Sequence, residues 1–153
     1  MSEDNVIIFN FALVNAVTLV ELVSTPAGDW EKLGQLLAQV VVQWPEASDP
    51  SDPVSYASVN VPLGLSIVQA LQNTVAAMIS KPKILKRVLI EKWTMPEFVL
   101  WNKALTSGQW GDTFDLLKKV SKEFDPETTN GEDLLMLIGS VAQHVRSIGA
   151  QGN

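Results

Sequence analysis

His144 is the chain's one histidine, and no cysteine accompanies it. Those two counts remove thiolate zinc sites, iron–sulfur clusters, disulfides and thiol nucleophiles, and they leave a single imidazole for acid–base work. A catalytic imidazole needs an orienting partner and a nucleophile within reach. His144 instead follows Leu137 by seven residues, close to a helical stripe of Leu137, Val141, Val145 and Ile148, with Arg146 nearby. That is the setting of a partly buried or surface histidine. The densest acidic group is Asp112, Asp115, Glu123 and Asp125. Asp112 and Asp115 are spaced to flank one helix start, where capping and the helix dipole favour carboxylates, and Glu132 and Asp133 have the same explanation. The chain has no glycine-rich phosphate loop, no nucleophile-elbow spacing and no paired-histidine zinc motif. No catalytic residue, metal or cofactor is expected, and the chain is read as non-enzymatic.

The chemistry that remains is binding. Residues 81–92 hold Lys81, Lys83, Lys86, Arg87 and Lys92 against one carboxylate, Glu91, in a chain whose net charge is −6. As a helix, this stretch would put Lys83, Lys86 and Arg87 on one narrow face and Ile84, Leu85, Val88 and Leu89 opposite. Such a face suits an anionic partner, either the phosphate backbone of RNA or single-stranded DNA or an acidic protein surface, without reading bases. An overall acidic chain excludes binding nucleic acid with its whole surface. Five tryptophans, at 30, 44, 93, 101 and 110, supply core bulk or interface anchors. Trp110, in the turn Gly108-Gln109-Trp110-Gly111, has the best claim to the surface.

The elements that position these groups read as helices. Residues 6–23 are mostly apolar and free of Gly and Pro, and they predict one helix too apolar to face water. Such a helix belongs in the core or in an oligomer interface, with Val14 and Leu22 as interface residues. Glu3 and Asp4 precede it where a signal peptide needs positive charge, so no cleaved secretion signal is expected. Asn10, Asn15, Thr18 and Glu21 argue against a membrane span there.

Asp29 caps a second helix, whose stripe is Trp30, Leu33, Leu37, Val40, Val41 and Trp44. A Pro- and Ser-rich crossover follows at 45–62, with room for one short strand pair near 54–61. Pro62 opens a third helix with stripe Leu63, Ile67, Leu71, Val75 and Met78, whose small residues Gly64, Ala70, Ala76 and Ala77 let another backbone come close. Further helices are predicted at 83–93, at 94–105 behind the capping box Thr94-Met95-Pro96-Glu97, at 113–124 behind Asp112, and at 134–148 behind Thr129-Asn130-Gly131-Glu132. Gly149 is the expected stop, and 150–153 form a fraying tail. The result is an all-α, single-domain bundle of about six helices spanning 1–153.

In size, acidity and element order the chain resembles the helical-bundle coat proteins of rod-shaped plant viruses. The resemblance covers about residues 13–92. An early helix pair, ELVSTPAGDWEKLGQLLAQVVVQW, is followed by the Pro- and Ser-rich crossover and then by the basic stretch KPKILKRVLIEKW. It implies that Lys83, Lys86 and Arg87 approach genomic RNA. Two runs expected of such coats, aromatic-Arg-Phe-Pro and Asp-x-Arg-x-Arg, are absent, and the C-terminal half carries no part of the likeness.

The expected function is a self-assembling helical subunit of a virus-like or other nucleoprotein particle, homo-oligomeric, in the cytoplasm or within the particle. The alternative is a small adaptor or assembly chaperone that takes a protein segment into an apolar groove. A small-ligand or lipid carrier, its first helix lining a cavity, ranks behind both.

Overall fold

The computed structural model describes residues 7–26, 28–45 and 59–151. Six α-helices occupy them: α1 (Ala16–Ser24), α2 (Trp30–Val40), α3 (Val61–Ser80), α4 (Met95–Ser107), α5 (Phe114–Val120) and α6 (Gly131–Gln151). One short antiparallel pair, β1 (Ile8–Phe9) with β2 (Val41–Gln43), completes an all-α bundle. The strand pair therefore joins the two ends of the early helical region. Residues 54–58 lie outside the described residues, and Val61 already belongs to α3.

The N-terminal segment is broken rather than continuous, which corrects the expectation of one helix over 6–23. Two asparagines cause the breaks. Asn10 accepts from the Ala12 N–H at 3.1 Å and opens a 3-10 turn, Phe11–Leu13. Asn15 accepts from the Thr18 N–H at 2.9 Å and caps α1. On either side of Asn15 the backbone bonds to distant chain: the Ala16 N–H donates to Thr129 O at 2.8 Å, and the Gly131 N–H to Val14 O at 2.8 Å. A Cβ on Gly131 would stand 2.7 Å from Phe11 O, so only glycine permits this approach. The segment is thus fastened to the start of α6. Val14 (7% exposed) and Leu22 (2% exposed), expected at an interface between copies, are buried in the core of the single chain.

The second helix stops at Val40, where the β-branched pair Val41-Val42 turns extended and pairs with β1. Asp29 precedes it without a side-chain cap bond.

Helix α6 is the hub. Residues 134–141 are all buried, and the helix packs on α3, on α1 and on the 3-10 turn at 11–13. Its cap is Asn130, whose Oδ1 accepts from the Asp133 N–H at 2.8 Å, one residue later than the expected Thr129–Glu132 box. The helix also continues through Gly149, the expected stop, to Gln151. Where α6 crosses the end of α3, a Cβ on Gly139 would come within 2.8 Å of Ile79 O.

The aromatic residues divide as their surroundings dictate. Trp44, Trp93 and Trp101 are buried. The rings of Trp93 and Trp101 lie 5.1 Å apart, and the Trp93 Nε1–H donates to Leu116 O at 2.9 Å. Trp30 is about half exposed at the start of α2.

Helix α4 forms behind the predicted capping box, with Pro96 in its first turn and Gly108 at φ 78° ending it. Glu97 accepts from the Thr94 N–H at 3.1 Å and bonds the Lys119 ammonium, tying α4 to α5. The Lys119 bond first, and the Thr94 backbone bond second, hold the Glu97 carboxyl below its ordinary value of 4.5. A depressed carboxylate stabilises the fold above its unfolded pKa and ceases to do so as pH falls through the folded one. The expected result is that Glu97→Gln lowers the melting temperature at neutral pH. The gap to the unmodified protein should close once pH is taken well below 4.5. A gap that persists unchanged in acid would show that the carboxylate charge contributes nothing.

Candidate binding groove

The three cations singled out in the sequence do not share a helix face. After Pro82 the chain bends at Lys83 and Ile84, runs without regular secondary structure through Leu89 and then makes a 3-10 turn, Ile90–Lys92, so the helix expected over 83–93 is absent. Its backbone bonds go to other elements. The Lys86 N–H donates to the buried Ser140 hydroxyl at 2.7 Å, which itself donates to Met136 O, and the Leu89 N–H donates to Val120 O at 2.9 Å. Ile84 and Leu85 are consequently exposed while Val88 is buried, so the expected apolar face is dispersed too.

Lys83 lines one shallow cleft together with Glu132. Lys86 and Arg87 line another with Glu91 and the half-buried His144, and the Lys86 ammonium lies 3.4 Å from Asp133. Each of the two clefts also has a carboxylate in its lining, Glu132 in the first and Glu91 in the second. The stretch is a strap across α6, not a basic stripe.

The acidic residues serve local structure. Asp125 accepts from the Glu127 N–H at 3.0 Å in a turn, and Asp112 and Asp115 sit exposed in the first turns of the Trp110–Thr113 3-10 helix and of α5. Among the described residues no group of three His, Asp or Glu side chains is placed to hold a metal ion.

A larger concavity than either cleft lies elsewhere. A groove of about 630 Å³ opens between α3 and the end of α1, with Leu33 of α2 behind it and Leu105 and Trp110 closing one end. Its α3 wall is Val68, Leu71, Gln72, Val75, Ala76, Ile79 and Ser80, and its opposite wall is Leu22, Val23, Thr25 and Pro26. Local chemistry fixes that shape. Pro26 follows the Thr25 C-cap and excludes further helix. Gly108, in the left-handed region, turns the chain so that Trp110 folds back on α4, where its Nε1–H donates to Leu105 O at 3.3 Å. The Ser24 hydroxyl donates to Gly108 O at 3.1 Å and ties the end of α1 to the turn that carries Trp110. Trp110 is therefore half-buried, packed on one side and facing the groove on the other.

The groove's polar rim is already occupied. The Thr25 hydroxyl donates to Glu21 O at 2.5 Å, the Ser80 hydroxyl to Ala76 O at 2.8 Å, and the Trp110 indole is used as above. Gln72 apart, what remains is aliphatic surface, which suits a largely apolar occupant. No family model, curated protein or solved structure matches the chain. What the groove can do follows from its walls.

The decisive wall is α3. Its 20 residues carry no charged side chain, and only Gly64, Ile67, Leu71 and Val75 are buried. Val61 is 72% exposed and Leu65 65% exposed. Among the described residues this is the one helix long and apolar enough to cross a membrane by length and composition. A second uncovered apolar face lies on α4, where Met95, Val99 and Leu100 are exposed. The sequence signal for α3 was its complete lack of charge over 61–80, which distinguishes an uncovered face from the usual solvated one better than its small residues do.

Proposed function

We propose that this protein is a non-enzymatic, self-assembling helical subunit whose copies meet through apolar helix faces. The observation that carries the proposal is α3, an uncharged helix of 20 residues with four of them buried. Side chains the size of Val61 and Leu65, exposed in one contiguous row with a groove beside them, are what an association surface leaves uncovered in a single chain. The α4 face supports the same reading. Two separate faces on one chain allow growth beyond a pair, whereas a single self-complementary face closes at two. No nucleic-acid contact is part of this proposal, because Lys83, Lys86 and Arg87 are divided between two clefts that they share with carboxylates.

An adaptor that accepts an apolar segment of a different protein draws on the same groove, and it differs in what the isolated protein does. Light scattering after size exclusion, over a wide concentration range, separates the two. Self-assembly predicts a mass above the 16.7 kDa of one chain that falls on dilution. A mass that stays at one chain up to high micromolar concentration would overturn the proposal and favour the adaptor.

A further inference from the structure

We infer that the loop over residues 81–87 docks on an anionic lipid bilayer, entering its surface with Ile84 and Leu85 while Lys81, Lys83 and Arg87 meet the headgroups. The inference is independent of the self-assembly reading. Two anchors on adjacent residues of α6 define the loop. Pro82 packs against Gly139, where two of its ring carbons would stand 3.2 Å from an added Cβ. The Lys86 N–H donates to the Ser140 hydroxyl at 2.7 Å. Between these points the chain bends at Lys83 and Ile84, and Lys83, Ile84 and Leu85 are all exposed. Ile84 and Leu85 are each 64% exposed. The anchors fix the backbone on both sides of this aliphatic pair.

Charge identifies what meets it. Residues 81–87 carry four of the chain's 11 cationic side chains and no carboxylate, in a chain of net charge −6. Lys86 is spent on Asp133, 3.4 Å away. Lys81, Lys83 and Arg87 are exposed, and among the described residues none of them forms an ion pair. The carboxylates that line the neighbouring clefts, Glu132 and Glu91, leave them free.

Three free cations thus flank two adjacent exposed aliphatic side chains. An anionic bilayer offers both complements in order of depth, charged headgroups outside and hydrocarbon beneath. The long Lys and Arg stems let the charges stay at headgroup level while Ile84 and Leu85 go deeper. An RNA backbone would satisfy the cations but set the aliphatic pair against phosphates. A folded acidic protein would need a pocket shaped for the pair, and a bilayer needs none. Charges farther than about 8 Å from the contact are screened at physiological salt, so the acidity of the whole chain does not forbid docking.

Flotation with vesicles tests this. Vesicles of phosphatidylcholine and phosphatidylserine in equal parts should carry the protein at low salt and release it as salt rises. Phosphatidylcholine alone should not carry it, because stable anchoring takes both an apolar and an electrostatic signal. Each Lys or Arg near an anionic surface strengthens binding about fivefold. Lys81→Gln, Lys83→Gln and Arg87→Gln together should therefore weaken it by on the order of 100-fold. Ile84→Ser with Leu85→Ser should weaken it by about tenfold or more. That pair should leave helical circular dichroism unchanged, since both side chains are exposed in the fold. The chain has no cysteine, so Leu85→Cys supplies a single thiol for a polarity-sensitive dye. Its emission should shift to the blue on the mixed vesicles, and Leu65→Asp on α3 should leave that shift in place.

Failure to bind the mixed vesicles would overturn the inference, whatever the chain's oligomeric state. So would binding that is lost with Leu65→Asp and kept with Ile84→Ser and Leu85→Ser, which would give the membrane to α3. Single-stranded polyuridylate is the competing polyanion. If the protein binds it as well as the vesicles, and the serine substitutions weaken neither, the loop contacts phosphates through charge alone and the bilayer assignment is wrong.

Discussion

Val14→Asp combined with Leu22→Asp will leave a chain without helical circular dichroism or a cooperative thermal transition. Both side chains are buried in the continuous apolar core. Truncating one such aliphatic residue costs about 2–5 kcal/mol, and an unpaired buried carboxylate costs several more. Two such sites together match the ~5–15 kcal/mol that separates a typical folded domain from its unfolded state. Had these residues formed a surface between copies, the double variant would be smaller, more soluble and still helical. Recovering that species would overturn the core placement and restore residues 6–23 as an association surface. The contrast with Leu65→Asp is informative, since the same carboxylate on α3 should cost association and spare the fold.

Gly139→Ala should destabilise the protein although alanine is the better helix former. The helix-propensity gain is about 1 kcal/mol. Against it stands a new Cβ within 2.8 Å of Ile79 O, a backbone atom at the end of α3 that moves only if the helix moves. Overpacking of this kind costs typically 1–3 kcal/mol, and here it acts between the two longest helices. A fall in melting temperature of several degrees is expected, since ~1 kcal/mol shifts a chain of this size by about 2–4 °C. Gly28→Ala is the control, because nothing lies within 4 Å of its new methyl group. A melting temperature for Gly139→Ala at or above that of the unmodified protein would mean that the α3–α6 crossing is looser than the geometry implies.

Much of the helical layout was legible from residue spacing. Leu33, Leu37 and Val40 of α2 and Ile67, Leu71 and Val75 of α3 are buried as their three- and four-residue recurrence requires. Thr94 and Glu97 form the predicted capping box. Misreadings fell where distant backbone partners overrode a local pattern. Residues 83–89 have helical periodicity, but Ser140 and Val120 accept the Lys86 and Leu89 N–H groups and hold the chain out of a helix. Nothing within the stretch announces those partners. In residues 6–23 the signal was present and outweighed: Asn10 and Asn15 are N-capping residues, and the apolar run around them suggested continuity. The groove was least legible, because it is enclosed by the end of α1, the middle of α3 and the Gly108–Trp110 turn, which meet only in three dimensions.

Helix α6, on which the bundle is built, has a consequence for biosynthesis. A ribosome releases α1 and α3 before the hub exists, so the faces they turn toward α6 emerge without the surface they are shaped to cover. The N-terminal segment is the most affected: its anchoring bonds to Thr129 and Gly131 must wait for nearly the whole of the preceding chain. Throughout that interval α3, uncharged along its full length, is exposed on more than one side. The nascent chain therefore exposes this apolar surface until α6 has left the exit tunnel and can pack on α1 and α3.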